Sequence, residues 1–386
     1  MVILAKPSVS PYMARALFEI KEPAVLAESG VMIPMRPALD ILTAADFKKD
    51  PKRAYRSLIL TSSENALSAL YRMIPHDDRV LKARLFKDKA VFRGAIAELY
   101  PDFFFAEYDA SEIARVDVSK IPFPVVLKPA TGISSIGVYR VASAKEWKTA
   151  VEFLRKDLDR YAGNYDDEVV EGRKVLVEEW IRGEELAIDG YYNSNAEPVI
   201  LNILQHMFAS DGDTSDLIYC TRRALIRKYH KPLMRFLARF GDVFDLKRFP
   251  FHLEVRVNKK GEFIPIELNP LRFSGLGTTE IAEYAYAINV YKAFFGEQKP
   301  DWDLILKGRD ESVYTFMCAD LPTDRFRKKG LRIDDRAFLR QFDEVLDYRI
   351  LDEQETSTFA VIFFRSADLE ENRRLLKTDV RKYLSP

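Results

Sequence analysis

The sequence predicts a multidomain protein of mixed α/β and α+β class, on three observations. At 386 residues, with 47% hydrophobic and 12% aromatic residues, the chain is long for one core and comfortable for two or three. Its N-terminal part mixes short apolar strands with helical patterns, and its middle is a series of alternating apolar–polar runs separated by polar turns. From Glu311 onward strand and helix alternate again. The expected units are 1–83, an α/β unit; 84–310, a central two-lobed domain; and 311–386, a smaller α+β lobe.

Taken in order, 2–5 and 57–60 read as strands and 65–73 as a helix, a small unit with a partly parallel sheet. Between Arg84 and Leu99, Val91, Ala95 and Leu99 with Phe92 and Ile96 form a helical stripe. Residues 122–128 are a strand ending at Lys128, followed by a Gly/Ser loop and a second strand at 137–141. Ser143 and Glu146 make a capping box for a helix running to about Lys156, with Trp147, Val151 and Leu154 inward. Strands follow at 174–181, 185–192 and 198–206, then a polar loop at 210–216 and a basic helix at about 222–240. A hairpin at 250–269 leads to a helix at about 279–295. The last lobe reads as strand 312–317, helix 334–342, strand 358–364 and helix 369–382.

The charge balance of 59 basic and 59 acidic residues gives no global field for nucleic acid or an anionic membrane. Cys220 and Cys318 lie far apart and the four histidines are scattered, so neither a redox motif nor a zinc site is indicated. The N-terminal apolar run is too short for a signal segment, and no run approaches a membrane span. A soluble, cytoplasmic protein with small-molecule partners is expected, with no nucleic acid and no membrane.

The hairpin carries the most chemistry. Its strands alternate on both sides of Lys259-Lys260-Gly261, which puts Glu254 opposite Glu267 and His252 opposite Asn269. Leu253, Val255, Val257, Ile264, Ile266 and Leu268 then share the apolar face. Opposed carboxylates repel by about 3 kcal/mol at roughly 5 Å and an effective dielectric of about 20. A divalent cation would remove that cost, and the all-oxygen set Glu254, Glu267 and Asn269 suits Mg²⁺. The alternative is a wet charged face on which Arg256 and the turn lysines neutralise the glutamates.

The loop from Pro129 to Gly137 has glycines at 132 and 137 but lacks the Lys–hydroxyl pair of a Walker loop. Between two strands, its Gly and Ser groups could instead close over phosphates, with Lys128 as a point charge. A mobile hairpin tip beside a surface lysine is the plainer reading. Further on, an apolar strand turns polar at Glu178-Glu179, and Glu184-Glu185 open the next strand. Backbone groups at such a strand end can mimic base pairing to adenine, and a following acid can accept ribose hydroxyls. A charged hairpin with Trp180 in the core fits the pattern equally.

In order and spacing these segments, 125–138, 176–186 and 252–270, resemble the ATP-grasp superfamily of carboxylate–amine ligases over roughly Lys87 to Gly277. The resemblance implies a pre-grasp α/β domain at 1–83 and two α+β lobes, 84–173 and 174–310, sandwiching ATP. It implies Lys128 on the α/β-phosphates and the loop bearing Thr131, Gly132, Ser134, Ser135 and Gly137 over the β/γ-phosphates. Glu178 with backbone groups of Trp180 and Ile181 would hold adenine, Glu185 the ribose, and Arg93, with Lys89 second, a phosphate. Glu254, Glu267 and Asn269 would carry Mg²⁺, with Mn²⁺ as a substitute. The family often has Arg two residues after the metal-binding Asn; here that position is Leu271, and the guanidinium follows at Arg272. Arg272 and Arg256 are the expected catalytic cations. His206, Asp213, Ser215, Asp216, Tyr219 and Arg222 are the candidate substrate contacts, although 211–213 also reads as an ordinary acidic turn and Arg222 as the start of a basic helix.

The implied activity joins a small carboxylate, an amino acid being the favoured case, to an amine through an acyl phosphate. Biotin-carboxylase-like carboxylation and a non-catalytic nucleotide binder are the alternatives. Nothing chemical is legible in 311–386, which could shape the acceptor pocket or a homodimer contact.

Overall fold

The structure, a computed structural model, describes residues 1–6, 9–49, 52–131, 137–161, 174–210, 213, 215–320, 332–351 and 358–385. Three sheets carry the site. At the N-terminus, Ile41–Thr43, Ala24–Leu26, Val2–Leu4 and Leu60–Thr61 lie in that order, all parallel. These strands are short and fully apolar at Val2–Leu4, and the helix Pro11–Ile20, capped by Ser10, packs Met13, Ala14 and Leu17 into the interior.

A second, antiparallel sheet orders Phe105–Asp109, Lys174–Glu179, Val125–Pro129 and Tyr139–Val141. The helix Ala144–Tyr161 lays Trp147, Val151 and Leu154 on it, as their spacing predicts. Gly137 has φ +72°, and a Cβ there would stand 3.2 Å from Pro129 and Leu154, so glycine lets the chain re-enter the sheet.

The third sheet has eight antiparallel strands in the order Phe263–Pro270, Phe249–Val257, Glu184–Tyr192, Pro198–Met207, Ile218–Thr221, Val313–Asp320, Thr358–Ser366 and Glu344–Ile350. Strands from 311–386 therefore extend the sheet begun by the hairpin. One face is sealed by the helix Arg223–Phe244, whose Leu225, Ile226, Leu233, Leu237 and Phe240 join the N-terminal unit in one continuous core. The opposite face carries Glu185, Asp189, His206 and Glu254 at the hairpin end and a smaller apolar cluster of Ala187, Leu204, Tyr219, Phe316 and Phe363 toward the C-terminal strands. At the turn before the central strand Glu184–Tyr192, a Cβ on Gly183 would meet Val257 O at 1.8 Å, so that close crossing requires glycine.

Several elements differ from the sequence reading. The stripe at 84–99 is two helices, Asp78–Lys87 and Lys89–Ala95, because the Asp88 carboxylate caps Ala90 N and Val91 N at 2.9 Å and restarts the helix. The helix expected at 279–295 breaks at Ala287, φ 57°, and Asn289 caps its second half. The helix expected at 369–382 shortens to Glu370–Leu375 followed by a 3-10 turn. The strand Glu344–Ile350 lies at the sheet edge, where its half-exposed pattern lacks the alternation that marks a buried strand. No helix among the described residues is long and apolar enough to cross a membrane.

The hairpin register is the one the turn predicts at its outer end: His252 faces Asn269 and Glu254 faces Glu267. A bulge then shifts the pairing by one, so Val255 faces Pro265 and Val257 faces Phe263. The expected apolar face is corrected accordingly. Phe263 rather than Ile264 joins the core, and Ile266 is turned into the cleft.

Candidate active site

Between the antiparallel four-stranded sheet and the hairpin lies a cleft. Lys128 and Val126 reach it from the strand Val125–Pro129, Glu178 to Ile181 from the neighbouring strand end, and Glu185, His206, Glu254, Arg256, Ile266 and Glu267 from the eight-stranded sheet. Lys89, Phe208, Asp213 and Asp216 complete the sequence-predicted and apolar lining. Twelve side chains singled out in the sequence thus share one space.

Its inner wall is built from charge. Lys128 and Glu178 are ion-paired, and Arg93 holds the other Glu178 oxygen at 2.9 Å. Burial pushes the Glu178 carboxyl up, but Arg93 and Lys128 outweigh it and hold the group below its ordinary value. Burial pulls Lys128 down, against the attraction of Glu178. Arg93 also donates to Pro265 O at 2.8 Å and lies over the Phe103 ring, wholly buried. Of the two cations expected here, Lys89 lines the cleft, and Arg93 lies outside its lining and supports Glu178.

The opposed glutamates are compensated, though not by the cations the sequence suggested. Lys89 Nζ stands 3.5 Å and Lys87 Nζ 3.7 Å from Glu267, while His252 Nε2 approaches Glu254 at 3.3 Å. Burial raises the Glu267 carboxyl, yet Lys89 and Lys87 pull it below its ordinary value. Arg256 instead binds Glu185 at 2.8 Å and Ile181 O at 2.8 Å, and the turn lysines are exposed. Repulsion alone therefore does not demand a cation. The donor chemistry still fits one: Glu254 and Glu267 are register partners, the Asn269 carboxamide oxygen accepts from the same Lys87 at 3.3 Å, and all are oxygen ligands. Among the described residues no cluster of three His, Cys, Asp or Glu side chains forms a metal site.

At the other end, Trp180 is half-buried rather than in the core, with the Arg256 guanidinium 4.3 Å and the Arg140 guanidinium 5.3 Å from its ring centroid. The Trp180 N–H donates to Pro124 O at 3.0 Å and Ile181 O accepts from Arg256, so these two expected adenine-pairing groups have internal partners. Glu185 bridges Arg256 and His206 Nδ1, the latter at 2.8 Å. Burial lowers the His206 imidazole, but Glu185 outweighs it and leaves the ring more basic than usual.

Other expected contacts are placed differently. Asp213 closes its own loop, accepting from Ala209 N and from Ser215 N and Oγ, which is the ordinary acidic turn. Ser215 O faces His206, and Tyr219 stacks on His206 and donates to Asp216 at 3.1 Å. Arg222 points away to Gln205 and a separate hollow with Arg223, Tyr286 and Arg309. Arg272 pairs with Glu64 at 2.8 Å, and Lys87 shares that carboxylate at 3.1 Å. Leu271 takes φ 56° with its side chain buried, so the chain reverses there and the guanidinium emerges one residue later. Thr131 and Gly137 flank the loop, whose Gly132, Ser134 and Ser135 lie outside the described residues. The sequence reading missed Glu64, Lys87, Asp189 and Phe208; only Lys87 carried a signal, its place in the Lys–Asp–Lys run beside Lys89.

Two lobes closing a cation-lined cleft over a carboxylate hairpin define the ATP-grasp fold. The comparisons agree: residues 121–280 match the ATP-grasp domain model, so the chain carries an ATP-grasp domain. D-alanine–D-alanine ligase of Haemophilus influenzae (strain PittEE) is 33% identical over 84 residues, and the match spans 22% of this chain and 22% of that protein. The L-amino acid ligase from Bacillus licheniformis superposes with TM-score 0.69 at 17% identity, over 100% of this chain and 97% of that one. N5-carboxyaminoimidazole ribonucleotide synthetase from Thermotoga maritima gives 0.60 at 14%, over 100% and 98%. Biotin carboxylase from Campylobacter jejuni gives 0.61 at 12%, over 95% and 87%. At these identities the structures show the shared fold.

Proposed function

We propose that the cleft binds ATP with Mg²⁺, Mn²⁺ being able to substitute, and that the protein is an ATP-dependent ligase joining a small carboxylate to an amine. The observation that carries this reading is that Lys128 and Lys89 share one largely apolar cleft with the register-paired Glu254 and Glu267, Lys89 standing 3.5 Å from Glu267. Lys128 and Lys89 hold phosphate oxygens. Glu254, Glu267 and Asn269 offer oxygens to the ion, which when bound neutralises charge on the transferring phosphate. Trp180, Phe208 and Ile266 enclose the base, and Glu185 accepts from the ribose.

The chemistry needs positioning rather than a protein nucleophile. A carboxylate oxygen of the substrate attacks the γ-phosphorus and ADP leaves, giving an acyl phosphate. The free amine then attacks the carbonyl carbon, the C–O bond breaks, inorganic phosphate departs, and the amine proton passes to solvent or phosphate. Lys128 and Lys89 offset the charge spread over the transferring group. Arg272, beside Lys87 on Glu64, is the cation this reading assigns to the carboxylate. The likeness to an L-amino acid ligase and to D-alanine–D-alanine ligase supports an amino acid as that carboxylate.

Phosphate release should depend on an acid and an amine together when the protein is given ATP, Mg²⁺ and amino-acid pools. Dependence on bicarbonate would replace this reading with carboxylation, and tight ATP binding without turnover would remove the enzyme.

A further inference from the structure

Beside the cleft, the eight-stranded sheet buries a charged pair that the proposed chemistry does not use. Asp189, in the strand Glu184–Tyr192, is 0% exposed. Its Oδ1 accepts from His252 Nδ1 at 2.9 Å and from the backbone N–H of Ser274 at 2.9 Å. His252, also buried, presents its other nitrogen to Glu254 Oε1 at 3.3 Å. The register makes this continuous, since His252 faces Asp189 on one neighbouring strand and Asn269 on the other.

A buried ion pair adds little stability over apolar residues of the same volume, so stability alone does not account for Asp189 and His252. What the pair does is join two places. Ser274 belongs to the segment after the hairpin that carries Arg272, where Leu271, Leu276 and Gly277 have φ of 56°, 53° and 84°. Such backbone holds its shape only when its surroundings fix it. Its tethers include Thr61 N to Leu271 O at 2.7 Å, Leu271 N to Pro250 O at 2.8 Å, Arg272 to Glu64 at 2.8 Å, and Ser274 N to Asp189. The Ser274 tether and the His252 support of Glu254 share one carboxylate oxygen, Asp189 Oδ1.

We propose that Asp189 and His252 are positioning residues that couple the seating of the 271–277 segment to the orientation of Glu254. The segment that receives the substrate and the carboxylate that faces the cation then become ordered together. This rests on the reading that Glu254 is a metal ligand.

Ser274→Pro tests the coupling without touching the metal side, because it deletes the one N–H while the native φ of −53° suits the proline ring. Asp189→Asn removes the charge and keeps the shape. Mn²⁺ binding to the ADP complex, followed by electron paramagnetic resonance, is the readout. Both variants should weaken Mn²⁺ binding about 10-fold, the usual scale for groups that support a metal ligand. Metal-free ADP binding should change less than about 2-fold, as expected when no contact to the nucleotide is removed. Cooperative thermal unfolding confirms that each variant folds; should Asp189→Asn fail to, Ser274→Pro alone decides. Unchanged Mn²⁺ binding in the folded variants, with Glu254→Gln weakened, overturns the coupling. Unchanged binding in Glu254→Gln overturns the metal reading itself, and the proposal with it.

Discussion

Lys128 and Glu178 form an ion pair with no more than 4% of either side chain exposed, and Arg93 occupies the remaining carboxylate oxygen. Three charged groups so deeply buried are stable only as a set. Glu178→Gln leaves two cations without an anion, and the expected loss of folding stability is roughly 3–5 kcal/mol. Urea unfolding measures it; a loss below about 1 kcal/mol would mean that other groups balance Lys128 and Arg93.

Glu267→Gln should separate activity from stability. Phosphate release should fall by at least about 100-fold. The unfolding midpoint should move only a few degrees, because Lys87 retains Glu64 at 3.1 Å. Turnover at the wild-type rate would remove Glu267 from the metal site.

Glu64 gives a pH signature. Burial pushes its carboxyl up, but Lys87 and Arg272 outweigh burial and hold it at about 2, against an ordinary 4.5. A depressed carboxyl stabilises the fold above pH 4.5, and that contribution is lost as pH falls from 4.5 toward 2. Across that window the wild type should lose about 3 kcal/mol more than Glu64→Gln. Parallel acid titrations of the two proteins would refute the network.

Arg256 tests the base end. Its guanidinium spans Glu185, Ile181 O and the Trp180 face at once, which a lysine cannot do. Arg256→Lys should weaken ADP binding about 10-fold, as seen in a titration of Trp180 fluorescence. Equal affinity would place the base elsewhere.

The hairpin was legible because strict alternation on both sides of a Lys–Lys–Gly turn leaves one sensible register, and that register holds at Glu254 and Glu267. The bulge beyond them was not, since an extra residue leaves the local alternation intact and shows only in that Phe263, rather than Ile264 or Ile266, joins the core. Lys87, Lys89 and Arg93 were visible as a basic cluster, but choosing Lys89 over Arg93 for the cleft wall needed the helix break at Asp88, which decides the direction each side chain takes. Glu64 and Asp189 left no trace because their partners are 208 and 63 residues away in sequence. Arg222 looked like a substrate contact for the opposite reason: proximity along the chain to Tyr219 does not survive the strand's alternation of faces.

The eight-stranded sheet runs unbroken from the hairpin into the C-terminal strands, with Ile218–Thr221 hydrogen-bonded directly to Val313–Asp320. Met207, Ile218 and Cys220 pack there against Phe338, Phe359 and Ile362. Severing the gene ahead of position 311 would thus bare a raw ladder rim and its greasy underside, a template for aggregation rather than a smaller folded unit. The tail, though silent about chemistry, belongs to the same load-sharing plate as the hairpin of Glu254 and Glu267, and the two should melt as one.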